Sequence, residues 1–378
     1  MHSFRRDFLR KLGTGAAFAI AGRAFTQGSV QGYSGVGSPD VGGPIRLDRN
    51  EDPYGPSTET VDAMRQALTA TNRYPDLAQE ALRARIASLH KVGTEQVILG
   101  CGSGEILRMS AGAFLGRSKK LIVARPSFPQ MTTWARRAGA EIVSVPLRQD
   151  HSHDLDRMLS RCAASGLVYI CNPNNPTATL TPRRAIEVFL RELPPTVHVV
   201  IDEAYHHYVE RSADYDSFID HTLNDPRVIV TRTFSKIYGL AGLRIGYAVA
   251  APPTAGLLRS CGLAGDVNVV GAKAALAALE DVEHVRARMR RNVDERQEFC
   301  NQANARMLRV IDSQANFVML NTERSGAQVI GHFAKHGVLL PASFPAFEKH
   351  VRVSLGRPEE MQQFWRVWDL MPMHRMAM

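Results

Sequence analysis

The chain contains no run of roughly 18 or more uninterrupted apolar residues, which excludes a polytopic membrane protein. Cysteine is sparse and unpatterned. Cys101, Cys162, Cys171, Cys261 and Cys300 are odd in number and show no C-x-x-C spacing, so neither a zinc site nor a disulfide framework is predicted, and each reads as a small buried hydrophobe. A basic block is also missing. The formal charge is +9, but Arg5, Arg6, Arg10, Lys11 and Arg23 against Asp7 concentrate +4 of it in the first 28 residues, and no nucleic-acid partner is indicated. Aromatic residues make up only 7%, yet 44% hydrophobic and 22% charged residues describe an ordinary globular protein. At 378 residues the chain exceeds one simple core and predicts two lobes.

The N-terminus has the three-part layout of a secretory signal: a basic stretch over residues 3 to 11, an apolar stretch from Leu12 to Gly22, and small residues Ala19, Ala21 and Ala24 offering a cleavage site. Arg5-Arg6 followed by Phe8 and Leu9 resembles a twin-arginine signal, with Phe4 where Ser or Thr is usual. Residues 1–28 are therefore expected to be a leader read by the twin-arginine export machinery, giving a periplasmic or secreted protein without stable membrane insertion, or a cytoplasmic one if the signal is not used. An export route that carries folded proteins suits a chain without a disulfide pattern. Residues 29–74 read as an N-terminal tail and arm.

From residue 97 onward, short apolar runs alternate with helical patterns. The runs Val97–Leu99, Lys120–Ala124, Glu141–Val145, Leu167–Cys171, Val197–Ile201 and Val228–Val230 suit strands buried on both faces of a parallel sheet. Thr181 followed by Pro182 predicts an N-cap and a proline at the first helical position, ahead of Ile186, Phe189, Leu190 and Leu193 at helical spacing. A long helical stretch is expected from Gly271 through Ala305, then strands at 316–320 and 350–355 and a last helix from Pro358. The prediction is an α/β domain over 75–255 with a mostly parallel central sheet and a smaller α+β domain over 256–378. His206 and His207, with His198 nearby, are expected on a strand where neighbours face opposite ways, so no metal site is predicted.

Chemistry in such sheets sits just beyond the carboxyl ends of the strands. The first run leads into Gly100-Cys101-Gly102-Ser103-Gly104 and a helix, where backbone amides attract anions. By itself this signal is weak, being neither a Walker motif nor a clean G-x-G-x-x-G. Leu167–Cys171 leads into Asn172-Pro173-Asn174-Asn175-Pro176-Thr177, and Val197–Ile201 into Asp202-Glu203-Ala204-Tyr205. An acid ending an all-apolar strand is costly without a cation to meet it, and a protonated pyridine nitrogen is one such partner. Val228–Val230 leads into Thr231-Arg232-Thr233-Phe234-Ser235-Lys236, eight residues before Arg244. A lysine flanked by hydroxyls beyond a buried strand is a Schiff-base candidate.

Together these motifs resemble the fold type I pyridoxal-phosphate aminotransferases of class I/II, and more closely the histidinol-phosphate aminotransferase branch. Residues 50–56 (Asn-Glu-Asp-Pro-Tyr-Gly-Pro), 73–76 (Arg-Tyr-Pro-Asp) and 352–356 (Arg-Val-Ser-Leu-Gly) carry the closer likeness. The resemblance spans about residue 45 to about 370 and implies pyridoxal 5'-phosphate as cofactor, with a small-molecule amino donor and a 2-oxo acid acceptor as partners. It assigns Lys236 to covalent attachment and proton transfer, Asp202 to the ring nitrogen, Tyr205 and Asn175 to the phenolic oxygen, and Phe128 to stacking on the ring. Ser103, Gly104, Thr233, Ser235 and Arg244 would hold the cofactor phosphate, with Tyr74 arriving from the second subunit of a homodimer. Arg352 would clamp the substrate carboxylate with a fork that lysine lacks, and Tyr54 would join it at the substrate.

The likeness has gaps. Pro341 stands where the histidinol-phosphate enzymes carry a phosphate-binding arginine, and Gly265-Asp266 replaces an aromatic-Asn pair, so a carboxylate falls near a phosphate pocket. Ala178 replaces a glycine and Gly104 an acidic residue. Transamination of a substrate other than histidinol phosphate is the expectation. Another reaction on the same scaffold (decarboxylase, β-lyase or racemase) and a non-catalytic secreted binding protein remain the alternatives.

Overall fold

In a computed structural model, residues 43–210, 214–223, 225–262 and 267–372 are described; the expected leader at 1–28 and the Gly265-Asp266 pair lie outside them. A seven-stranded sheet organises the larger part. Its strands, in chain order, are β2 (Val97–Gly100), β3 (Lys120–Arg125), β4 (Ile142–Pro146), β5 (Ser165–Cys171), β6 (His198–Asp202), β7 (Val228–Thr233) and β8 (Gly246–Ala250). They lie in the order β2-β8-β7-β6-β5-β3-β4, and only β8 runs against its neighbours. Every residue of β5, β7 and β8 is buried, which is why Leu167–Cys171 and Val228–Val230 read as continuous apolar runs without alternation. Strand β8 is not expected from sequence: Gly-Tyr-Ala-Val-Ala is short and close behind the Lys236 loop.

The helices are α1 (Thr58–Ala67), α2 (Asp76–His90), α3 (Ser103–Phe114), α4 (Gln130–Arg137), α5 (Leu155–Leu159), α6 (Arg183–Glu192), α7 (Pro252–Ser260), α8 (Val269–Glu280), α9 (Val282–Ala305), α10 (Gly326–Lys335) and α11 (Pro358–Asp369). Two apolar clusters cover the two faces of the large sheet. The C-terminal part builds its own core around Phe299, Phe333 and Phe364, beside an antiparallel sheet of β9 (Arg309–Ile311), β10 (Phe317–Asn321) and β12 (His350–Ser354). The arm strand β1 (Ile45–Arg46) pairs in parallel with β11 (Val338–Leu339), which tethers residues 46–51 to this part.

Three local expectations are corrected. The helical stretch 271–305 is two helices, because Asp281 leaves helical geometry and its carboxylate caps the next helix at His284 N, 3.1 Å away. Helix α6 begins at Arg183, one residue later than expected. Thr181 is not its cap, since its hydroxyl meets His153 N at 3.0 Å and His153 Nδ1 at 2.7 Å. His206 and His207 lie in a 3-10 turn, not a strand, and each meets a tyrosine hydroxyl, from Tyr215 at 3.0 Å and Tyr238 at 3.2 Å.

Candidate active site

The carboxyl ends of β5, β6 and β7 and the start of α3 open onto a cavity of about 690 Å³. Its first wall is built for an anion. Ser103 and Gly104 start α3, and Thr233, Ser235 and Arg244 face the same space. Gly102 takes φ +75°, and a Cβ there would fall 2.4 Å from Arg244 Nη2, so only glycine lets the guanidinium lie against the loop. Strand β8 presses on the helix start in the same way: a Cβ on Gly246 would lie 2.3 Å from Ser103 N. Arg244 Nη1 donates to Ser235 Oγ at 3.2 Å and to Ala241 O at 3.0 Å, and Thr233 Oγ1 donates to Ser235 Oγ at 2.9 Å.

The floor carries Asp202, Tyr205 and Lys236. Asp202 ends β6 and is buried; Tyr169 Oη donates to its Oδ2 at 2.8 Å and Ala204 N to its Oδ1 at 3.1 Å. Burial outweighs these bonds and pushes its carboxyl up to about 6. Lys236 Nζ donates to the carbonyls of Arg49 at 3.0 Å and Asn50 at 2.9 Å. Burial, and next the Arg352 guanidinium, push its amine down to about 7. Burial raises the Tyr205 phenol, whose oxygen accepts from Asn50 Nδ2 at 3.0 Å and Asn175 Nδ2 at 3.3 Å. Phe128 also lines the cavity, partly buried against the core below.

The third wall comes from the C-terminal part. Arg352 on β12 donates through Nη1 to Asn175 Oδ1 at 2.7 Å and through Nη2 to Asp48 O at 2.6 Å. Its Nε is buried and meets no acceptor among the described residues. The side chain is only 8% exposed, and burial holds its basicity down.

Eleven of the thirteen residues expected at the site therefore share one cavity. Tyr54 and Tyr74 do not. Tyr74 is 91% exposed. Tyr54 lines a neighbouring cavity of about 820 Å³ between α9 and α11, where Arg288, Arg291 and Arg357 surround its ring and its hydroxyl is hydrogen-bonded to Glu295. Its placement there is the tertiary consequence of three arginines that share no sequence motif with it.

Sequence reading missed Asn50 and Asp48 as individual contributors, Tyr169 behind Asp202, and Gln130. The last lines the cavity where a Cβ on Gly104 would stand 2.3 Å from its Nε2, so the glycine and the glutamine share one space. Gly104 in place of an acidic residue was the available signal. Among the described residues no cluster of histidine, cysteine or carboxylate groups is set to hold a metal.

The family described as aminotransferase class I and II matches residues 43–367. A histidinol-phosphate aminotransferase of Symbiobacterium thermophilum is 35% identical over 323 residues, 85% of this chain and 88% of that one. An aromatic amino acid aminotransferase of Rhodococcus jostii is 38% identical, again over 85% of this chain and 88% of the relative. Among solved structures, histidinol-phosphate aminotransferase from Sinorhizobium meliloti in complex with pyridoxal 5'-phosphate superposes with a TM-score of 0.81 at 26% identity, covering 86% of this chain and 92% of the other.

Proposed function

Because this chain belongs to the class I and II aminotransferases, a pyridoxal-phosphate-dependent enzyme family, we propose that it takes the amino group of an α-amino acid with an aromatic side chain and passes it to a 2-oxo acid. The observation that carries this reading is Arg352, a buried guanidinium whose Nε has no acceptor and whose other nitrogens meet only neutral oxygens. A planar carboxylate matches that fork, and burial without one is costly. The half-buried ring of Phe344 lies 5.7 Å from the guanidinium, which supports an aromatic neighbour to that carboxylate. Pro341 offers no charge for a phosphate ester.

The residues fit the cofactor. Arg244, the hydroxyls of Ser103, Thr233 and Ser235 and the amides starting α3 suit its phosphate, and glycine at 102 keeps that cradle open. When bound, the cofactor supplies the electron sink for the substrate carbanion. The chain's own residues do the rest. Asp202 would hold a proton on the ring nitrogen through a charge-assisted hydrogen bond. Tyr205 and Asn175 would orient the phenolic oxygen, and Phe128 would cover a ring face. Lys236, with its amine depressed toward neutrality, would attach the cofactor and then move the proton at the substrate Cα. Tyr74, so exposed in one chain, would complete the phosphate end of a second chain in a homodimer. Residues 1–28 would direct export through the twin-arginine route.

The test is a turnover panel with purified protein: tyrosine, phenylalanine, aliphatic amino acids and histidinol phosphate as donors, followed through the visible cofactor band. Aromatic donors should convert the band, and a 2-oxo acid should restore it. Preferred turnover of histidinol phosphate would overturn the substrate reading and return the assignment to that of the Symbiobacterium relative. Replacing Arg5-Arg6 by Lys-Lys should trap the full chain in the cytoplasm; undiminished export would reject the leader.

A further inference from the structure

Strand β5 holds a buried phenol that no part of the chemistry above uses. Tyr169 is fully buried on an interior strand of the sheet, and its hydroxyl donates to Asp202 Oδ2 at 2.8 Å. A purely apolar core would be filled as well by phenylalanine, and a buried hydroxyl needs a partner. Here the partner is the acid at the end of the adjacent strand. We propose that Tyr169 is a positioning residue for cofactor binding: it holds Asp202 in its ionised form and aims the carboxylate at the ring nitrogen, as the rear half of a Tyr169-Asp202 pair. The inference rests on the reading of Asp202 as that nitrogen's partner.

Geometry favours the pair on three counts. The β5–β6 register sets Tyr169 opposite Val200, and Cys171 opposite Asp202, so the phenol approaches from beneath the carboxylate, and Tyr169 is not among the residues that line the cavity. Ala204 N takes the other oxygen, so both oxygens are fixed and the carboxylate does not swing. Burial raises the phenol well above its ordinary range, so it remains a donor throughout the working pH range. The other groups bearing on Asp202 are Glu203 beside it, Tyr205, the Cys171 thiol from β5 and Lys236 from beyond β7. None of these hydrogen-bonds Asp202 through its side chain; among the described residues Tyr169 alone does.

A carboxylate that loses a donor binds its proton more tightly, so cofactor affinity, which needs the ionised form, should fade at a higher pH. The experiment measures equilibrium binding of pyridoxal 5'-phosphate to cofactor-free protein between about pH 5.5 and 9 for wild type, Tyr169→Phe, Asp202→Asn and the double variant. In holoenzyme carrying ring-15N cofactor, the nitrogen chemical shift is read alongside. Tyr169→Phe should weaken binding about tenfold near neutrality, the factor carried by one charge-assisted hydrogen bond. It should also move the Asp202 step of the pH curve, which in wild type lies below the Lys236 step, upward by about one pH unit. In the Asp202→Asn background the same change should have no effect. Wild-type affinity and pH curve in a folded Tyr169→Phe protein would overturn the inference, as would an equal loss in both backgrounds, which marks packing alone. Unchanged binding in Asp202→Asn would overturn the underlying reading of Asp202 instead. Should Tyr169→Phe fail to fold, 3-fluorotyrosine at 169, a stronger donor of similar shape, should move the curve downward, and an unmoved curve would reject the proposal.

Discussion

Two cavities lie side by side, and the larger has less chemistry in it. Around the cavity of about 820 Å³, several charged and polar groups meet partners within the chain: Arg306 pairs with Asp369 at 2.7 Å, Tyr54 with Glu295, and Arg357 Nε with the Pro53 carbonyl at 2.8 Å. Around the cavity of about 690 Å³, Lys236, Arg244 and Arg352 direct the hydrogen bonds seen among the described residues to neutral oxygens. Two guanidinium groups held close to an amine that burial and their charge push toward neutrality, with no ion pair to any of the three among the described residues, destabilise the empty protein, and anionic ligands relieve that cost. Volume marks space, whereas uncompensated charge marks what the space is for.

Removing the floor of the smaller cavity should have the largest effect. Lys236→Ala is expected to lower the rate of cofactor interconversion by about 10⁴-fold, the upper range for a positioned acid-base group. Tyr54→Phe, in the larger cavity, should cost less than about tenfold, the scale of one ordinary hydrogen bond. Single-turnover absorbance with a productive donor compares the two, and equal losses would break the distinction between the cavities.

Next in size is the fork on β12. Arg352→Lys keeps the charge but loses the bidentate geometry, and kcat/KM for amino-acid donors should fall about 100-fold, chiefly through KM. Arg306→Lys, whose partner Asp369 is already in the chain, should leave steady-state kinetics within about twofold. A small Arg352→Lys effect would mean that the unpartnered Nε does not meet substrate.

A pH experiment reads the same crowding of cations. Attachment of the cofactor needs the neutral Lys236 amine, which folding lowers from 10.5 to about 7. The rate of reconstitution of cofactor-free protein should therefore rise with pH through about 7 and level off above it. Because Arg352 is the largest charge holding that amine down, Arg352→Met should shift the rise to higher pH. Stopped-flow mixing with pyridoxal 5'-phosphate across pH 5.5 to 10 gives both curves, and a rise centred near the ordinary lysine range in wild type would contradict the buried-cation account.

Much of this contrast was legible in the sequence because local pattern and strand end coincide. Asp202, Lys236 and Asn175 each follow an all-apolar run, and a strand buried on both faces puts whatever follows it at the sheet's carboxyl edge. What escaped is contact between distant segments. Lys236 meets carbonyls at Arg49 and Asn50, and Arg352 reaches the Asp48 carbonyl, 304 residues away. Backbone acceptors leave no mark on residue type, so no motif announces them. The surroundings of Tyr54 escape for a related reason: its neighbours Arg288, Arg291 and Arg357 come from α9 and the turn into α11, and only packing brings them to one ring. Strand β8 escaped because the five residues Gly-Tyr-Ala-Val-Ala carry little periodic signal.

The smallest expected effect lies in the loop that carries Asn175 to Arg352. Ala178 is buried with φ +61°, a left-handed conformation that costs a residue with a Cβ about 1–2 kcal/mol. Hydrogen bonds over-determine it: Ala178 N donates to Asn174 O at 2.7 Å, and Gln314 N to Ala178 O at 2.8 Å. Ala178→Gly removes that strain but loosens the unfolded chain and loses a buried methyl, so the gain should be about 0.5 kcal/mol, a rise in Tm of about 1–2 °C. Calorimetry and donor kinetics on the same variant then ask whether strain in this loop serves the Asn175–Arg352 contact. With Arg352 also tied to the Asp48 carbonyl, kcat/KM should stay within about twofold of wild type. A tenfold loss in a protein of equal or greater stability would show that the loop's conformation, and not only the unpaired charge, sets the substrate end of the smaller cavity.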